Sequence, residues 1–192
     1  LSTLLQNVTD AEQGPKTCAV FDFDGTIIAG NSATAFLKDQ IARGEISPAD
    51  LVQLTQAATR FGIGSLGFSA LMAVHAQYLA GRSEADYVAN SERLFRKAIA
   101  KLIYPEARQL IEAHRAAGHS IAIISSATPY QVLPAARDLG IEHVYATDLQ
   151  VEDGQFTGGV VQPTCFGIGK VHAAERFTAQ QGSDLENCFF YS

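Results

Sequence analysis

The chain has 192 residues, of which 47% are hydrophobic and 18% are charged, and its formal net charge at pH 7 is -6. This length suits one large domain, or a core that carries a smaller inserted domain. The chain is net acidic and has no cluster of basic residues that could neutralise a nucleic-acid backbone, so we expect no nucleic-acid partner.

The first predicted elements are a short helix and a buried strand. Leucines and a valine at helical spacing in residues 1–8 predict an amphipathic helix. Residues 17–26, TCAVFDFDGT, predict a buried strand that ends in a turn at Gly25. Asp22 and Asp24 share one face of that strand. Because two neighbouring carboxylates repel each other, we expect a divalent cation with oxygen ligands to bind between them. The alternative is a strand end with two solvated acids.

A helical region without a convincing strand follows, from about residue 32 to residue 102. Ser47 and Ser83 each begin a pattern that resembles a capping box, and Pro48 suits a first helical turn. Residues 61–81 contain no Asp, Glu, Lys or Arg before Arg82. This length could cross a bilayer, but its glycines and polar residues favour a buried cap helix. The remaining alternative is a surface for a lipid tail or a partner domain.

After residue 102, strands alternate with helices. The predicted order is a helix from Pro105 to Gly118, a strand to Ser125, a helix from Pro129 to Gly140, a strand at 143–147, a hairpin at 151–156, a helix at 169–181 and a strand at 187–191. This alternation predicts an α/β fold with a doubly wound, Rossmann-like parallel sheet. We expect residues 1–30 and 103–192 to form the core, and residues 31–102 to form an inserted all-helical cap.

Several candidate site residues lie where strands end. Ligands of parallel sheets bind beyond the carboxyl ends of the strands. Asp22, Asp24 and Ser125 are predicted at such ends, and Lys170 begins a helix that could face them. Each also has an alternative role: Ser125 could cap the next helix, Lys170 could be solvated, and Thr26 could bond its own turn. The five histidines have no ligand spacing and are expected to be surface or packing residues.

The same segments resemble the haloacid-dehalogenase superfamily. Residues 21–28, FDFDGTII, resemble its first motif, whose phosphatases use the first aspartate as the nucleophile. Residues 121–126, IAIISS, resemble the second motif, and Lys170 within GIGKV resembles its phosphate-facing lysine. Residues 127–159 resemble the phosphoserine-phosphatase-like branch. The nearest likeness is the phosphatase-like domain that some bacteria fuse to an acylglycerol-phosphate acyltransferase.

The resemblance implies a role for each matching residue. Asp22 would attack phosphorus, and Asp24 would protonate the leaving oxygen and then activate water. Mg²⁺ would bind the Asp22 carboxylate, the Asp24 carbonyl and a further aspartate. Phosphate would be bound by Thr26, Ser125, Ser126 and Lys170.

Two departures from the family pattern lead to further expectations. The fourth motif, an aspartate pair, would begin just after the strand that ends at Tyr191, where this chain has Ser192 and ends. We therefore expect a C-terminally truncated part of a longer protein, with weak or no activity. Asn31 stands where phosphoserine phosphatases have a glutamate that reads the substrate amine, so phosphoserine is a weaker candidate substrate.

The sequence thus predicts a Mg²⁺-dependent phosphomonoesterase that acts on a small or lipid-linked phosphate ester. The alternatives are a non-catalytic regulatory or docking domain of a larger acyltransferase protein, and a phosphotransferase to an acceptor other than water. Three cysteines in or beside apolar runs, Cys18, Cys165 and Cys188, indicate reduced thiols of a cytoplasmic protein. Membrane association would then come only from other parts of a longer protein.

Overall fold

The computed structural model describes residues 1–192. It contains eight α-helices: α1 (Ser2–Asp10), α2 (Ser32–Ala42), α3 (Pro48–Gly62), α4 (Phe68–Leu79), α5 (Glu84–Lys97), α6 (Pro105–Ala116), α7 (Pro129–Leu139) and α8 (Ile168–Gln180). The six strands are β1 (Cys18–Phe21), β2 (Ser120–Ile124), β3 (His143–Tyr145), β4 (Leu149–Glu152), β5 (Gln155–Val160) and β6 (Cys188–Tyr191). The predicted element order is confirmed, with boundaries shifted by a few residues.

Four strands form one parallel sheet in the order β3-β2-β1-β6. Phe21 is in register with Ile123 on one side and with Tyr191 on the other. Strand β3 ends earlier than expected because the Thr147 amide donates to the Ala127 carbonyl (2.9 Å) instead of extending the ladder. The predicted α/β fold with a parallel sheet is confirmed.

Alternate residues of β1 pack on opposite faces of the sheet. Ala19 and Phe21 belong to a large buried cluster that includes residues of α6 and α7. Cys18 and Val20 belong to a second cluster that includes Phe177 of α8. Both faces are therefore covered, which explains why the strand reads as a continuous apolar run. This arrangement is the expected doubly wound sheet.

The region between β1 and β2 contains helices and no ladder strand, as predicted. Ser47 and Ser83 cap α3 and α5 by accepting hydrogen bonds from the amides of Asp50 (3.1 Å) and Asp86 (3.2 Å). The uncharged stretch 61–81 is interrupted by a turn between α3 and α4. No helix combines the length and apolar character needed to cross a membrane.

The hairpin β4–β5 is fastened to the helical region. The Gly81 amide donates to the Phe156 carbonyl (2.8 Å), and the Glu84 amide donates to the Gly154 carbonyl (2.9 Å). Helix α4 also packs along β5. The division into core and cap at residues 30/31 and 102/103 stays a prediction, and the structure adds that the hairpin accompanies the helices.

Candidate active site

Asp22 leaves β1 at the carboxyl edge of the sheet. Its amide donates to the Tyr191 carbonyl (2.9 Å), which continues the pairing of β1 with β6. Its Oδ1 accepts from the Phe23 amide (2.7 Å), and its Oδ2 accepts from Lys170 Nζ (2.6 Å). Only 25% of the Asp22 side chain and 29% of the Lys170 side chain are exposed. Two predicted site residues 148 positions apart are thus in direct contact.

A close backbone approach fixes the start of α8 and hence the position of Lys170. A Cβ atom on Gly169 would lie 2.0 Å from the Thr164 carbonyl oxygen, so the loop closes on the helix only because this residue lacks a side chain. The Lys170 amide donates to the Gly167 carbonyl (3.1 Å) within the same turn. The glycines of GIGKV therefore serve to bring the ammonium group to Asp22.

The Asp24 carboxylate has its own partner, Ser32, at the start of α2. Its Oδ1 accepts from the Ser32 amide (2.7 Å), and its Oδ2 accepts from the Ser32 hydroxyl (3.1 Å). Burial raises the pKa of Asp24 above its ordinary value, and the charge of Asp22 adds to the rise, whereas Ser32 and Lys170 oppose it. A carboxyl group with a raised pKa beside a second, paired carboxylate is suited to proton transfer.

Ser125 and Ser126 follow β2 at the same edge of the sheet. Ser125 is 1% exposed, and its Oγ accepts from the Ala127 amide (3.2 Å). Helix α7 is capped by Thr128 rather than by Ser125, so the capping alternative for Ser125 is not observed. Ser126 is half-buried. Because β2 pairs with β1, the two serines follow the strand that lies next to the strand before Asp22.

Thr26 and Asn31 are placed differently from the other candidates. Thr26 lines a cavity of about 530 Å³ together with Tyr104 and Tyr191, and neither Asp22 nor Asp24 lines that cavity. Asn31 is the N-cap of α2, where its Oδ1 accepts from the Thr34 amide (3.2 Å). No hydrogen bond joins the Thr26 side chain to Asp22 or Lys170, and Asn31 has a local structural role.

Sequence reasoning missed Ser32, whose side chain is in direct contact with Asp24. The available signal was its position as the first residue of a helix that closely follows the aspartate pair, because a first-turn amide has no partner within the helix. Gln131 was also missed: its Nε2 donates to the Ser32 hydroxyl (3.0 Å).

The oxygen atoms that could hold a divalent cation are few. No group of three or more His, Cys, Asp or Glu side chains is arranged to bind a metal ion. The Asp22 carboxylate lies at the sheet edge, where the Phe23 amide and Lys170 donate to its oxygens, and the Asp24 carbonyl accepts no backbone hydrogen bond. These donors are of the type that Mg²⁺ prefers, and Mg²⁺ sites commonly use one or two carboxylates together with substrate phosphate and water. The residues thus fit Mg²⁺ in donor type.

An aromatic cluster joins the helical region to the loop that precedes Lys170. Phe68 of α4 stacks on Phe166 with ring centroids 4.4 Å apart, and Phe61 lies edge-on to both. The Ser69 and Thr164 hydroxyls are 3.3 Å apart beside it. Phe166 is 44% exposed, so the cluster presents apolar surface four residues before Lys170.

Comparisons with known proteins agree with this geometry. Residues 19–192 match the model of the haloacid dehalogenase-like hydrolases. A Mycobacterium tuberculosis protein named "Probable phosphatase" is 33% identical over 180 residues, which cover 92% of this chain and 62% of that protein. A phosphoserine phosphatase of the same organism is 33% identical over 179 residues, covering 91% of this chain and 58% of that protein. The chain therefore spans about three fifths of the length of these two relatives.

A solved structure resembles the whole arrangement. A protein of unknown function from Bordetella pertussis superposes with a TM-score of 0.81 at 25% identity, covering 90% of this chain and 80% of that one. The parallel sheet with its helical region is therefore shared with an independently determined fold.

Proposed function

Because the chain belongs to the haloacid dehalogenase-like hydrolases, we propose that it hydrolyses phosphate monoesters through an aspartyl-phosphate on Asp22. The observation that carries this proposal is the pairing of Asp22 Oδ2 with Lys170 Nζ (2.6 Å), beside a second carboxylate with separate partners. Asp22 and Asp24 are thus adjacent, but they have different partners, which suit Asp22 to nucleophilic attack and Asp24 to proton transfer. Covalent catalysis would split one difficult hydrolysis into two easier steps.

In the first step, an Asp22 oxygen attacks phosphorus and the bond to the leaving oxygen breaks. Asp24, whose pKa is raised chiefly by burial, donates a proton to that leaving oxygen. In the second step, water attacks the aspartyl-phosphate, Asp24 takes its proton back from the water, and phosphate and the free Asp22 carboxylate are released. The cycle returns both carboxyl groups to their starting protonation states.

Positive charge and hydrogen-bond donors complete the proposed site. Lys170 would neutralise charge on the transferred phosphoryl group, and Ser125 and Ser126 would donate to its oxygens. Thr26 remains a proposed phosphate-binding residue. Mg²⁺, held by the Asp22 carboxylate and the Asp24 carbonyl, would screen the repulsion between the nucleophile and the phosphate.

For the substrate, we propose a phosphate ester with an apolar group, either small or lipid-linked. Asn31 is neutral and caps α2, and the cluster of Phe61, Phe68 and Phe166 offers an apolar wall near Lys170. The name of the mycobacterial phosphoserine phosphatase supports the competing candidate, phosphoserine. A preference of at least about tenfold in kcat/KM for apolar esters would correspond to about 1.4 kcal/mol of differential transition-state binding.

Other proposals concern the protein as a whole. A docking domain joined to an acyltransferase would keep the fold without turnover, and a phosphotransferase would pass the phosphoryl group to an alcohol. The two mycobacterial relatives are named as phosphatases, so the acyltransferase fusion rests on the sequence resemblance alone. A truncated C-terminus and a cytoplasmic location likewise remain proposals.

The deciding experiment is a substrate panel with phosphoserine, short-chain and long-chain alkyl phosphates and an aryl phosphate, assayed by phosphate release with Mg²⁺ and with a chelator. We expect Mg²⁺-dependent release, fastest with the apolar esters. If alcohols are added as acceptors, release of the ester's own alcohol without release of free phosphate would instead indicate phosphoryl transfer. Absence of turnover with every ester, also by a version extended beyond Ser192, would favour the docking domain.

A further inference from the structure

A line of hydrogen bonds leads from the loop after β2 to the Asp24 carboxylate. The Thr128 amide and hydroxyl both donate to Gln131 Oε1 (2.8 and 2.9 Å). Gln131 Nε2 donates to the Ser32 hydroxyl (3.0 Å), and that hydroxyl donates to Asp24 Oδ2 (3.1 Å). The three side chains between the loop and Asp24 are buried, with exposures of 1% for Thr128, 6% for Gln131 and 0% for Ser32.

The direction of this line is fixed by chemistry. Because Gln131 Oε1 receives two donors from Thr128, its amide nitrogen must face Ser32. The ionised Asp24 carboxylate can only accept, so the Ser32 hydroxyl, which accepts from Gln131, donates its single proton to Asp24. The Ser32 amide, at the first turn of α2, donates to the other Asp24 oxygen (2.7 Å). Both oxygens of Asp24 are therefore held by one residue.

We propose that Ser32 and Gln131 are positioning residues that hold the Asp24 carboxyl group in the orientation needed for proton transfer to the leaving oxygen. This inference rests on the proposed phosphatase function. Gln131 acts through Ser32, and Ser32 acts through Asp24, so neither needs to touch the substrate. The line joins the first helix after the aspartate pair to α7.

Positioning of an acid predicts a dependence on the leaving group. An aryl oxygen of low pKa departs without much protonation, whereas an alkyl oxygen needs a well-placed acid. Loosening Asp24 should therefore slow alkyl phosphates much more than aryl phosphates. A residue that only holds α2 against α7 would affect both classes equally.

The test compares kcat/KM for an alkyl phosphate and an aryl phosphate in the unsubstituted chain, Ser32→Ala, Gln131→Met and the double variant. We expect Ser32→Ala to lose about tenfold or more with the alkyl ester, and less than about threefold with the aryl ester. The double variant should resemble Ser32→Ala, because residues that act in one line are not additive.

Two buried residues away from the line provide matched controls. Ser91 is 2% exposed and donates only to the Tyr87 carbonyl (2.8 Å) within α5, and Gln40 is 4% exposed. Ser91→Ala and Gln40→Met should change the alkyl-to-aryl ratio by less than about twofold. An unchanged ratio in Ser32→Ala and Gln131→Met would overturn the proposal.

A measurement without substrate separates this inference from the proposed function. If neither the unsubstituted chain nor a version extended beyond Ser192 hydrolyses either ester, the proposed function fails, and hydrogen exchange at the Ser32 amide still tests the positioning line. We expect that amide to exchange at least about tenfold faster in Gln131→Met than in Gln40→Met, because the Ser32–Asp24 contact loses its support. Equal exchange rates would show that Gln131 does not hold Ser32.

Discussion

Replacement of Lys170 by methionine gives the sharpest separation between catalysis and stability. The substitution keeps an unbranched side chain of similar length and removes only the ammonium group from Asp22 Oδ2. Lys170 Nζ makes no hydrogen bond other than the one to Asp22. Its loss therefore perturbs one contact at the centre of the proposed reaction.

The expected magnitude follows from the distance and the exposure. At 2.6 Å, and with both side chains about a quarter exposed, an effective dielectric constant of about 20 gives a Coulomb attraction of about 6 kcal/mol. Only the part that is stronger in the transition state accelerates the reaction, and loss of one stabilising donor commonly costs about 10²- to 10³-fold in kcat. Desolvation and solvent screening offset most of the attraction in the folding balance, so stability should change by no more than about 1 kcal/mol.

The assay measures kcat for a phosphate ester and the free energy of unfolding in urea for the unsubstituted chain, Lys170→Met and the control Lys38→Met. Lys38 is exposed on α2 and has no ion pair, so its substitution should change neither quantity. We expect a fall in kcat of about 100-fold or more for Lys170→Met only. A rise in KM with unchanged kcat would refute the reasoning, since it would assign Lys170 to ground-state binding.

Three further predictions concern the helical region between β1 and β2, the buried His114 of α6, and the metal. Asp39→Asn should lower the free energy of unfolding in urea by about 1–3 kcal/mol, because this buried carboxylate pairs with Arg93 and with Arg43 Nε (2.9 Å); an unchanged value would show that the pairs contribute nothing. Burial, with a smaller effect of His119, lowers the pKa of His114 from 6.5 to about 4, so the folded state binds fewer protons than the unfolded chain between these values. Stability should be full above pH 6.5 and fall toward pH 4 by up to about 1.4 kcal/mol per pH unit, and His114→Gln should reduce that slope; equal slopes would contradict this. Chelation of Mg²⁺ should abolish turnover and leave the circular dichroism spectrum unchanged, whereas full activity in chelator would exclude the metal.

The fold was predictable because its signals are local and repeated. The apolar run before Asp22, the proline and glycine boundaries of α6 and α7, and the alternation of strands and helices all indicate the same architecture. The contact of Asp22 with Lys170 was predictable for a related reason: parallel strands and the following helices bring their ends to one edge of the sheet. Topology alone thus defines the centre of the candidate site.

The parts that sequence did not predict depend on which way individual side chains point. Ser32 and Gln131 are 99 positions apart and carry no motif, and their contact depends on how α2 lies against α7.

The buried histidines are a second example of contacts that the sequence did not predict. Since the Glu12 carbonyl can only accept, His119 Nε2 donates to it, and His119 Nδ1 then accepts from His114 Nδ1 (2.8 Å). Spacing in the sequence gives no indication of such a buried pair.

The most direct test of the proposed mechanism is identification of the covalent intermediate. During turnover of an apolar phosphate ester, the protein would be quenched in acid, reduced with borohydride, which converts an aspartyl-phosphate to homoserine, and mapped by peptide mass spectrometry. We expect homoserine at position 22 in the unsubstituted chain, and none in Asp22→Asn, which lacks the nucleophilic carboxylate. Steady turnover with no modification at position 22, or with modification at another residue, would contradict the assignment of Asp22 as the nucleophile.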